Sequence, residues 1–296
     1  MRLLILTQAI DRRDPVLGFF HRWVEELAEH FDQIEVVCLR EGEHELPGNV
    51  SVHSLGKDQG KSRLTYIARF YKSIFSLDYD SVFVHMNPEY LVLGGAFWRL
   101  TGKRTTLWYA HRSVTWKLRL AAALVDSILT PSRESFHLRS HKVSVVGHGI
   151  DTDLFSPTST IEPVLPIIAT VGRISRIKNV DVLLKAVERF SSEHSAGVSL
   201  SMIGVAVTED DRAYEAGLKR MVSNGPLSDR VSFEGPKSQA QVAAKLRNIR
   251  LFVNLSETGS LDKAVLEAMS VGTVSLSSNP GLKSVLDPFG LFIASV

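Results

Sequence analysis

The residues best suited to chemistry fall in two stretches of the second half of the chain. The first reads Val171-Gly172-Arg173-Ile174-Ser175-Arg176-Ile177-Lys178-Asn179. It follows a run of β-branched residues and leads into a segment of helical period. Gly172 lets the backbone come close to a ligand. Arg173 and Lys178 can converge on one anion, and a forked guanidinium beside a point-charge ammonium is a natural clamp for a diphosphate. The positive N-terminus of the following helix would help. Charge alone leaves a solvated basic loop equally open, because exposed Arg and Lys are the norm. The position at the carboxyl end of a strand favours the clamp, since ligands of open α/β sheets bind there.

The second stretch reads Ser256-Glu257-Thr258-Gly259-Ser260-Leu261-Asp262-Lys263-Ala264-Val265-Leu266-Glu267-Ala268-Met269, followed by Val271-Gly272-Thr273. A turn rich in Gly, Ser and Thr opens a helix whose first backbone N–H groups suit a phosphate or a sugar hydroxyl. Glu267 can accept two hydrogen bonds from a ribose diol, or stand as an ordinary surface glutamate. Asp262 can contribute to the site, or merely favour the helix dipole.

The first half offers weaker signals. Gly18 follows the first strand and either serves a ligand or starts a helix. His85 and His111 stand at the ends of expected strands, where a catalytic role competes with a structural one. His148, flanked by Gly147 and Gly149, fits a tight turn. Arg99, Lys103, Arg104, Arg112, Lys117 and Arg119 come without an intervening Asp or Glu, interleaved with Trp108 and Trp116 and preceded by Trp98. Such a stretch suits anionic lipid headgroups or an acceptor phosphate, or is a solvated face with core tryptophans.

These residues need a scaffold of alternating strands and helices. Apolar runs at 34–39, 81–84, 105–108, 126–130 and 142–146 read as strands after a first strand ending at Thr7. Between them, Leu17, Phe20, Val24, Leu27, Ala28 and Phe31, then Tyr66, Ile67, Phe70, Ile74 and Phe75, fall at helical spacing. The pattern restarts with strands at 167–171, 198–203, 230–233, 251–255 and 273–276. Helices at 180–190, 213–222, 240–246 and 261–270 separate them. Two successive βα arrays predict an α/β protein of two doubly wound, Rossmann-like parallel-sheet domains facing a central cleft. The domains are expected at 1–155 and 166–296, joined by a linker at 156–165 rich in Pro, Ser and Thr. With no helix expected after the last strand, the chain reads as truncated within its second domain.

Composition excludes several classes. A net charge of +2 over 296 residues gives no global polyanion-binding signature, so nucleic acid is not an expected partner. The one cysteine, Cys38, rules out an intramolecular disulfide and suits a reducing compartment. The N-terminal apolar run is short and lacks a small-residue cleavage site, so it reads as a strand rather than a signal peptide. No His/Cys cluster has metal-ligand spacing, and no Walker loop or Gly-x-Ser-x-Gly elbow is present. The first strand lacks the Gly-x-Gly-x-x-Gly turn of dinucleotide oxidoreductases.

Taken in order, Gly172-Arg173 with Lys178, Gly204, Phe233-x-Gly235, Ser256, and Leu266-Glu267-Ala268-Met269-x-x-Gly272-Thr273 resemble the C-terminal domain of family 4 glycosyltransferases. Those enzymes have the GT-B fold and retain anomeric configuration. The resemblance covers about residues 166–286. It implies that Arg173 and Lys178 contact a donor pyrophosphate, that the turn Gly259, Ser260, Leu261 and Asp262 borders the donor, and that Glu267 binds the nucleotide ribose. It also implies that Gly18 lies near the donor phosphate and that His111 contacts the donor sugar.

One departure matters: Gly259 stands where the family has a first glutamate, which touches the transferred sugar. The expected reaction is transfer of a hexose-type sugar from a nucleoside diphosphate sugar to an acceptor hydroxyl. It needs no cofactor and no metal, with Arg173, Lys178 and the helix N-terminus carrying the leaving charge. The resemblance further implies a glycan or lipid-linked acceptor, cell-surface glycan or glycolipid synthesis, and a cytoplasmic location, with peripheral membrane contact through the stretch from Arg99 to Arg119. A nucleotide-sugar epimerase and a non-catalytic nucleotide-sugar-binding protein are the alternatives.

Overall fold

The computed structural model describes residues 1–14, 16–158, 167–194 and 197–293. The chain divides into two compact units, Met1–Gly147 and His148–Val296.

In the first unit the order is β1 (Arg2–Ile10), α1 (Phe19–Ala28), β2 (Gln33–Glu41), β3 (Val50–Ser54), α2 (Arg63–Ser76), β4 (Ser81–His85), α3 (Pro88–Leu100), β5 (Arg104–Trp108), α4 (Trp116–Leu124), β6 (Ser127–Thr130) and β7 (Val143–Val145). The seven strands form one sheet in the order β3-β2-β1-β4-β5-β6-β7, every pairing parallel. Both faces of β1 are buried: Leu4 and Leu6 join one core cluster, Leu3 and Ile5 another. That explains its continuous apolar run. Helices α2, α3 and α4 share the first cluster through Phe70, Ile74, Trp98, Leu118 and Ala121, and α1 covers the opposite face with Phe20 and Val24.

Three elements here escape the sequence pattern. The short strand β3 carries a half-polar sequence. Helix α3 is apolar nearly all round and carries Gly94 and Gly95, which hide its period. A Cβ on Gly95 would sit 2.9 Å from Leu124 Cβ, so glycine lets α3 and α4 pack closely. Helix α4 begins at Trp116 behind its cap, Thr115, whose hydroxyl accepts from Leu118 N.

The second unit runs β8 (Ile167–Val171), α5 (Val180–His194), β9 (Ser199–Ile203), α6 (Glu209–Ser223), β10 (Val231–Phe233), α7 (Gln239–Leu246), β11 (Leu251–Asn254), α8 (Lys263–Ser270), β12 (Val274–Ser277) and α9 (Lys283–Leu286). Its five parallel strands lie in the order β10-β9-β8-β11-β12. Helices α5 and α6 pack in one cluster, α7 and α8 in another. Capping boxes start α6 (Thr208 with Asp211) and α7 (Ser238 with Gln241), as their S/T-x-x-D/Q spacing dictates.

The division between units falls eight residues before the boundary expected at residue 155. Buried Phe155 packs with α7 and α8, and its carbonyl accepts from Ser270 Oγ at 2.7 Å. Arg247 Nε donates to Ser156 O at 3.0 Å. Residues 159–165 of the expected linker lie outside the described residues.

Candidate functional site

Both chemically promising stretches meet at one place in the second unit. Strands β8 and β11 are neighbours, yet β8 connects onward to β9 on one side and β11 to β12 on the other. This is the topological switch point of the sheet, where the carboxyl ends of strands leave room for a ligand.

Glycine keeps that edge low. Gly172 and Gly204 have φ of 138° and 143°, a region that L side chains rarely adopt. A Cβ on Gly204 would run into the carbonyl oxygen of Gly172. Gly172 N donates to Ile203 O and Gly204 N to Gly235 O, each at 2.9 Å. The ends of β8, β9 and β10 are thus tied together by bare backbone.

The two loops are stitched to each other. Asn179, in the left-handed region at φ 49°, follows a single 3-10 turn. Its Nδ2 donates to Leu255 O at 3.1 Å and to Glu257 Oε1 at 2.8 Å, while Glu257 N donates to Ile177 O at 3.0 Å. Lys178 Nζ donates to Asp262 Oδ2 at 2.5 Å, and Asn254 Nδ2 reaches the same oxygen at 2.9 Å. Asp262 also caps α8, accepting from Ala264 N at 3.3 Å. Burial works to raise the Asp262 carboxyl, but the Lys178 charge and these hydrogen bonds outweigh it and hold the group below its ordinary value.

Arg173 is placed differently. Its Nε lies 3.8 Å from Asp211 at the head of α6. The two basic residues are therefore held on separate carboxylates on either side of the loop, with no shared partner between them.

Glu267 is buried, with 4% of its surface accessible, so the structure excludes the ordinary surface glutamate. It lies one turn after Lys263, whose Nζ is 3.4 Å from Oε1, yet Oε1 makes no hydrogen bond. Burial pushes its carboxyl up to about 7; Lys263 pulls it down and Asp262 adds to the rise. A buried acceptor without a donor is costly, and it is what a ligand hydroxyl would relieve. Ser175 Oγ, in the Arg173–Lys178 loop, is likewise buried without a hydrogen-bond partner. Sequence reasoning overlooked Ser175 and Asn254; their position in strand-end loops was the available signal.

The turn before α8 is rigid. Gly259 has φ 66°, which favours glycine. Gly281 backs it closely: a Cβ there would lie 2.6 Å from Gly259 O. Asn279 Nδ2 donates to Ser260 O at 2.9 Å, and Ser256 Oγ to Thr258 Oγ1 at 3.0 Å. The Leu261 side chain belongs to the core, and its backbone hydrogen-bonds His148. Burial pushes that imidazole down to about 4, Lys263 adding to the effect.

Gly18, His85 and His111 lie in the first unit. Gly18 caps α1, where a Cβ would stand 2.7 Å from Asp14 O. His85 is buried, its Nδ1 3.2 Å from Thr7 Oγ1 and its ring stacked on Phe20 at 4.0 Å. Exposed His111 accepts from Ser113 N through Nδ1 at 3.0 Å, so the neutral ring carries its proton on Nε2. The stretch from Arg99 to Arg119 does not form one patch in sequence order. Trp98 and Trp108 are core residues, Lys103 bonds Tyr79 O, Lys117 pairs with Glu89 at 2.9 Å, and Trp116 is exposed. Among the described residues no group of His, Cys, Asp and Glu could hold a metal, and no helix is long and apolar enough to cross a membrane.

Residues 152–288 match the family described as glycosyl transferases group 1. The chain is 25% identical over 165 residues to the lipopolysaccharide core biosynthesis mannosyltransferase LpcC of Rhizobium leguminosarum bv. viciae, covering 53% of this chain and 46% of that one. It is 27% identical over 184 residues to a D-inositol 3-phosphate glycosyltransferase of Streptomyces avermitilis, covering 56% and 39%. These matches thus span less than half of either relative. Among solved structures, sucrose-phosphate synthase from Thermosynechococcus elongatus superposes with a TM-score of 0.72 at 15% identity, over 97% of this chain and 84% of that one. The likeness establishes the GT-B fold of two parallel-sheet α/β domains.

Proposed function

We propose that the chain is a glycosyltransferase that binds a nucleoside diphosphate sugar at the carboxyl edge of β8 and β11 and transfers its sugar, of hexose type, to an acceptor hydroxyl with retention. The observation that carries this reading is the buried Glu267 carboxylate with an unsatisfied oxygen, one turn into the helix capped by Asp262. Lys178 is held at that same cap. A ribose hydroxyl would donate to Glu267. The diphosphate would compete with Asp262 for Lys178 and draw Arg173 from Asp211.

In the reaction the bond from the anomeric carbon to the diphosphate oxygen breaks while the acceptor oxygen bonds to that carbon on the same face. The acceptor proton passes to the departing diphosphate. Negative charge grows on the leaving group, and Arg173, Lys178 and the N–H groups heading α8 would stabilise it. No metal ion or other cofactor is part of this proposal. Gly259 brings no side chain to the sugar, so sugar selection would rest on other groups. The acceptor is proposed to be a glycan or a lipid-linked sugar on the cytoplasmic side of a membrane.

The test is a thermal-shift screen of UDP-, GDP- and ADP-sugars, followed by transfer of labelled sugar to an acceptor panel with and without EDTA. Stabilisation by one nucleotide class and EDTA-insensitive transfer are expected. Isomerisation of the donor in the absence of any acceptor would make the protein an epimerase. Binding without turnover across the panel would leave a nucleotide-sugar-binding protein.

A further inference from the structure

Lys263 stands where local helix energetics disfavour it. It is the first residue of α8, directly after the Asp262 cap. A cation there faces the positive end of the helix. Its partner Glu267 lies four residues on, and lysine before glutamate is the weaker order for such a pair. Lys263 is also largely covered, with 18% of its side chain exposed, and burial pulls its ammonium below the ordinary lysine value. A residue that breaks three local rules without a gain in stability is expected where a site needs it.

The surroundings show what this charge does. Glu267 Oε1 lies 3.4 Å from Lys263 Nζ but makes no hydrogen bond, so the lysine acts on it through charge and leaves the oxygen without a donor. Asp262, at the cap of the same helix, works against the charged form of Glu267. Asp151, in the segment before β8, supports the charge on Lys263. His148 of the same segment is held neutral by burial, and Lys263 adds to that. Asp262 is in turn held by Lys178 from the loop after β8 and by Asn254 at the end of β11. Arg247, which follows α7, is taken up by the carbonyls of Leu154 and Ser156. Lys178 and Lys263 thus stand among three carboxylates, Asp151, Asp262 and Glu267, and the cluster balances with Glu267 protonated. A ribose diol needs the ionised form, because a protonated carboxyl has lost acceptor capacity. The diphosphate would claim Lys178, which leaves Lys263 to offset the charge on Glu267.

We propose that Lys263 is a positioning residue for the donor: its ammonium holds the buried Glu267 carboxylate in the charged form that a ribose diol requires, so that donor binding expels a proton from Glu267 to solvent. This rests on the donor site proposed above and adds to it a proton that leaves as the nucleotide arrives. The diphosphate of a nucleotide sugar is a diester with no proton to lose near neutrality, so the proton released is the protein's own.

The test is calorimetric titration of the full chain with UDP-glucose, GDP-mannose and ADP-glucose from pH 6 to pH 9, each in two buffers of different ionisation enthalpy. The nucleotide sugar that binds should release a proton. Its affinity should rise roughly tenfold from pH 6 to pH 8, because burial pushes the Glu267 carboxyl up to about 7 and only the ionised form takes the diol. The 2′,3′-dideoxyribose counterpart of that nucleotide sugar should bind more weakly and without the rise. Lys263→Met should move the rise to higher pH and weaken binding at pH 7 by about tenfold, with affinity returning toward the parent at pH 9. Lys263→Arg, which keeps the charge, should follow the parent. Should Lys263→Met unfold by circular dichroism, proton release by the parent, compared between the ribose and dideoxyribose ligands, decides the matter. Binding without pH dependence, or an equal loss at every pH in folded Lys263→Met, overturns this inference and leaves the donor site standing. Failure of all three nucleotide sugars to bind at any pH overturns the donor site and this inference together.

Discussion

The two sheets share a winding pattern but use the equivalent place in opposite ways. At the switch point of the first sheet, β1 and β4 end in a filled edge. His85 stacks on Phe20, Trp23 packs edge-on against both His85 and Trp108, and Thr7 reaches His85 Nδ1. At the carboxyl edge of the second sheet, β8 and β9 end in Gly172 and Gly204 without side chains, and the segments after β8 and β11 carry ion pairs: Lys178 on Asp262, Lys263 beside Glu267. Rings occupy space permanently. Paired charges can exchange partners when an anion arrives. The comparison teaches that the recognisable ligand chemistry belongs to the second unit, although both units offer the topology for it.

The largest effects should come from breaking each edge in its own currency. Phe20→Ala removes the ring under His85 and should destabilise the first unit by about 3–5 kcal/mol in chemical denaturation, leaving donor affinity of the folded protein unchanged. Gly204→Ala puts a Cβ into the Gly172 carbonyl at positive φ. It should cost about 2–4 kcal/mol in the second unit and lower donor affinity as well. If donor affinity fell in Phe20→Ala and held in Gly204→Ala, the assignment of the ligand edge would be reversed.

Lys178→Ala and Arg173→Ala sharpen the contrast. Each should weaken donor diphosphate binding by roughly 1.5–3 kcal/mol, the range for charge-assisted hydrogen bonds, in calorimetric titration. Unchanged affinity in both would remove the clamp. Lys178→Ala should carry a larger stability loss than Arg173→Ala, because Lys178 Nζ donates to Asp262 at 2.5 Å whereas Arg173 Nε lies 3.8 Å from Asp211.

Two titrating groups of the second unit should act in opposite directions. Glu267, raised from 4.5 to about 7, holds its proton in the folded state where the unfolded chain has released it. Its contribution to stability therefore falls as pH rises through that window. His148, lowered from 6.5 to about 4, stays neutral when folded while the unfolded chain protonates, so stability falls as pH drops through that window. In the parent the slopes oppose between pH 4.5 and 6.5. Glu267→Gln should expose the histidine slope and His148→Asn the glutamate slope, each on the order of 1–3 kcal/mol, in melting temperatures against pH. Parallel curves for both variants would contradict the burial argument. The smallest effect belongs to His111→Ala, which should change stability by about 0.5 kcal/mol or less because the ring is exposed; a change in kcat with donor affinity held would give it a catalytic role.

Much of this was legible in the chain. The two βα arrays and most strands follow from apolar runs broken by helical periods, and the stretches carrying Gly172, Arg173, Lys178 and Glu267 stand out by residue type. Elements without a contrast between faces were hidden. Helix α3 is apolar on nearly every side, β3 is short and half polar, and α4 lies inside a stretch whose dominant signal is charge. The glycine at 259 reads as a missing glutamate in sequence. In the fold its positive φ and the close approach of Gly281 give it a conformational reason.

By itself the sequence determined the fold class and the identity of the charged and glycine positions, because those depend on periodicity and on side-chain chemistry, which are local properties. The pairing was decided only by tertiary structure. Which carboxylate holds Lys178, that Arg173 turns to Asp211, and that Glu267 is buried with an unsatisfied oxygen all depend on groups up to 84 residues apart. Electrostatics and burial act through distance in space, and only packing sets that distance.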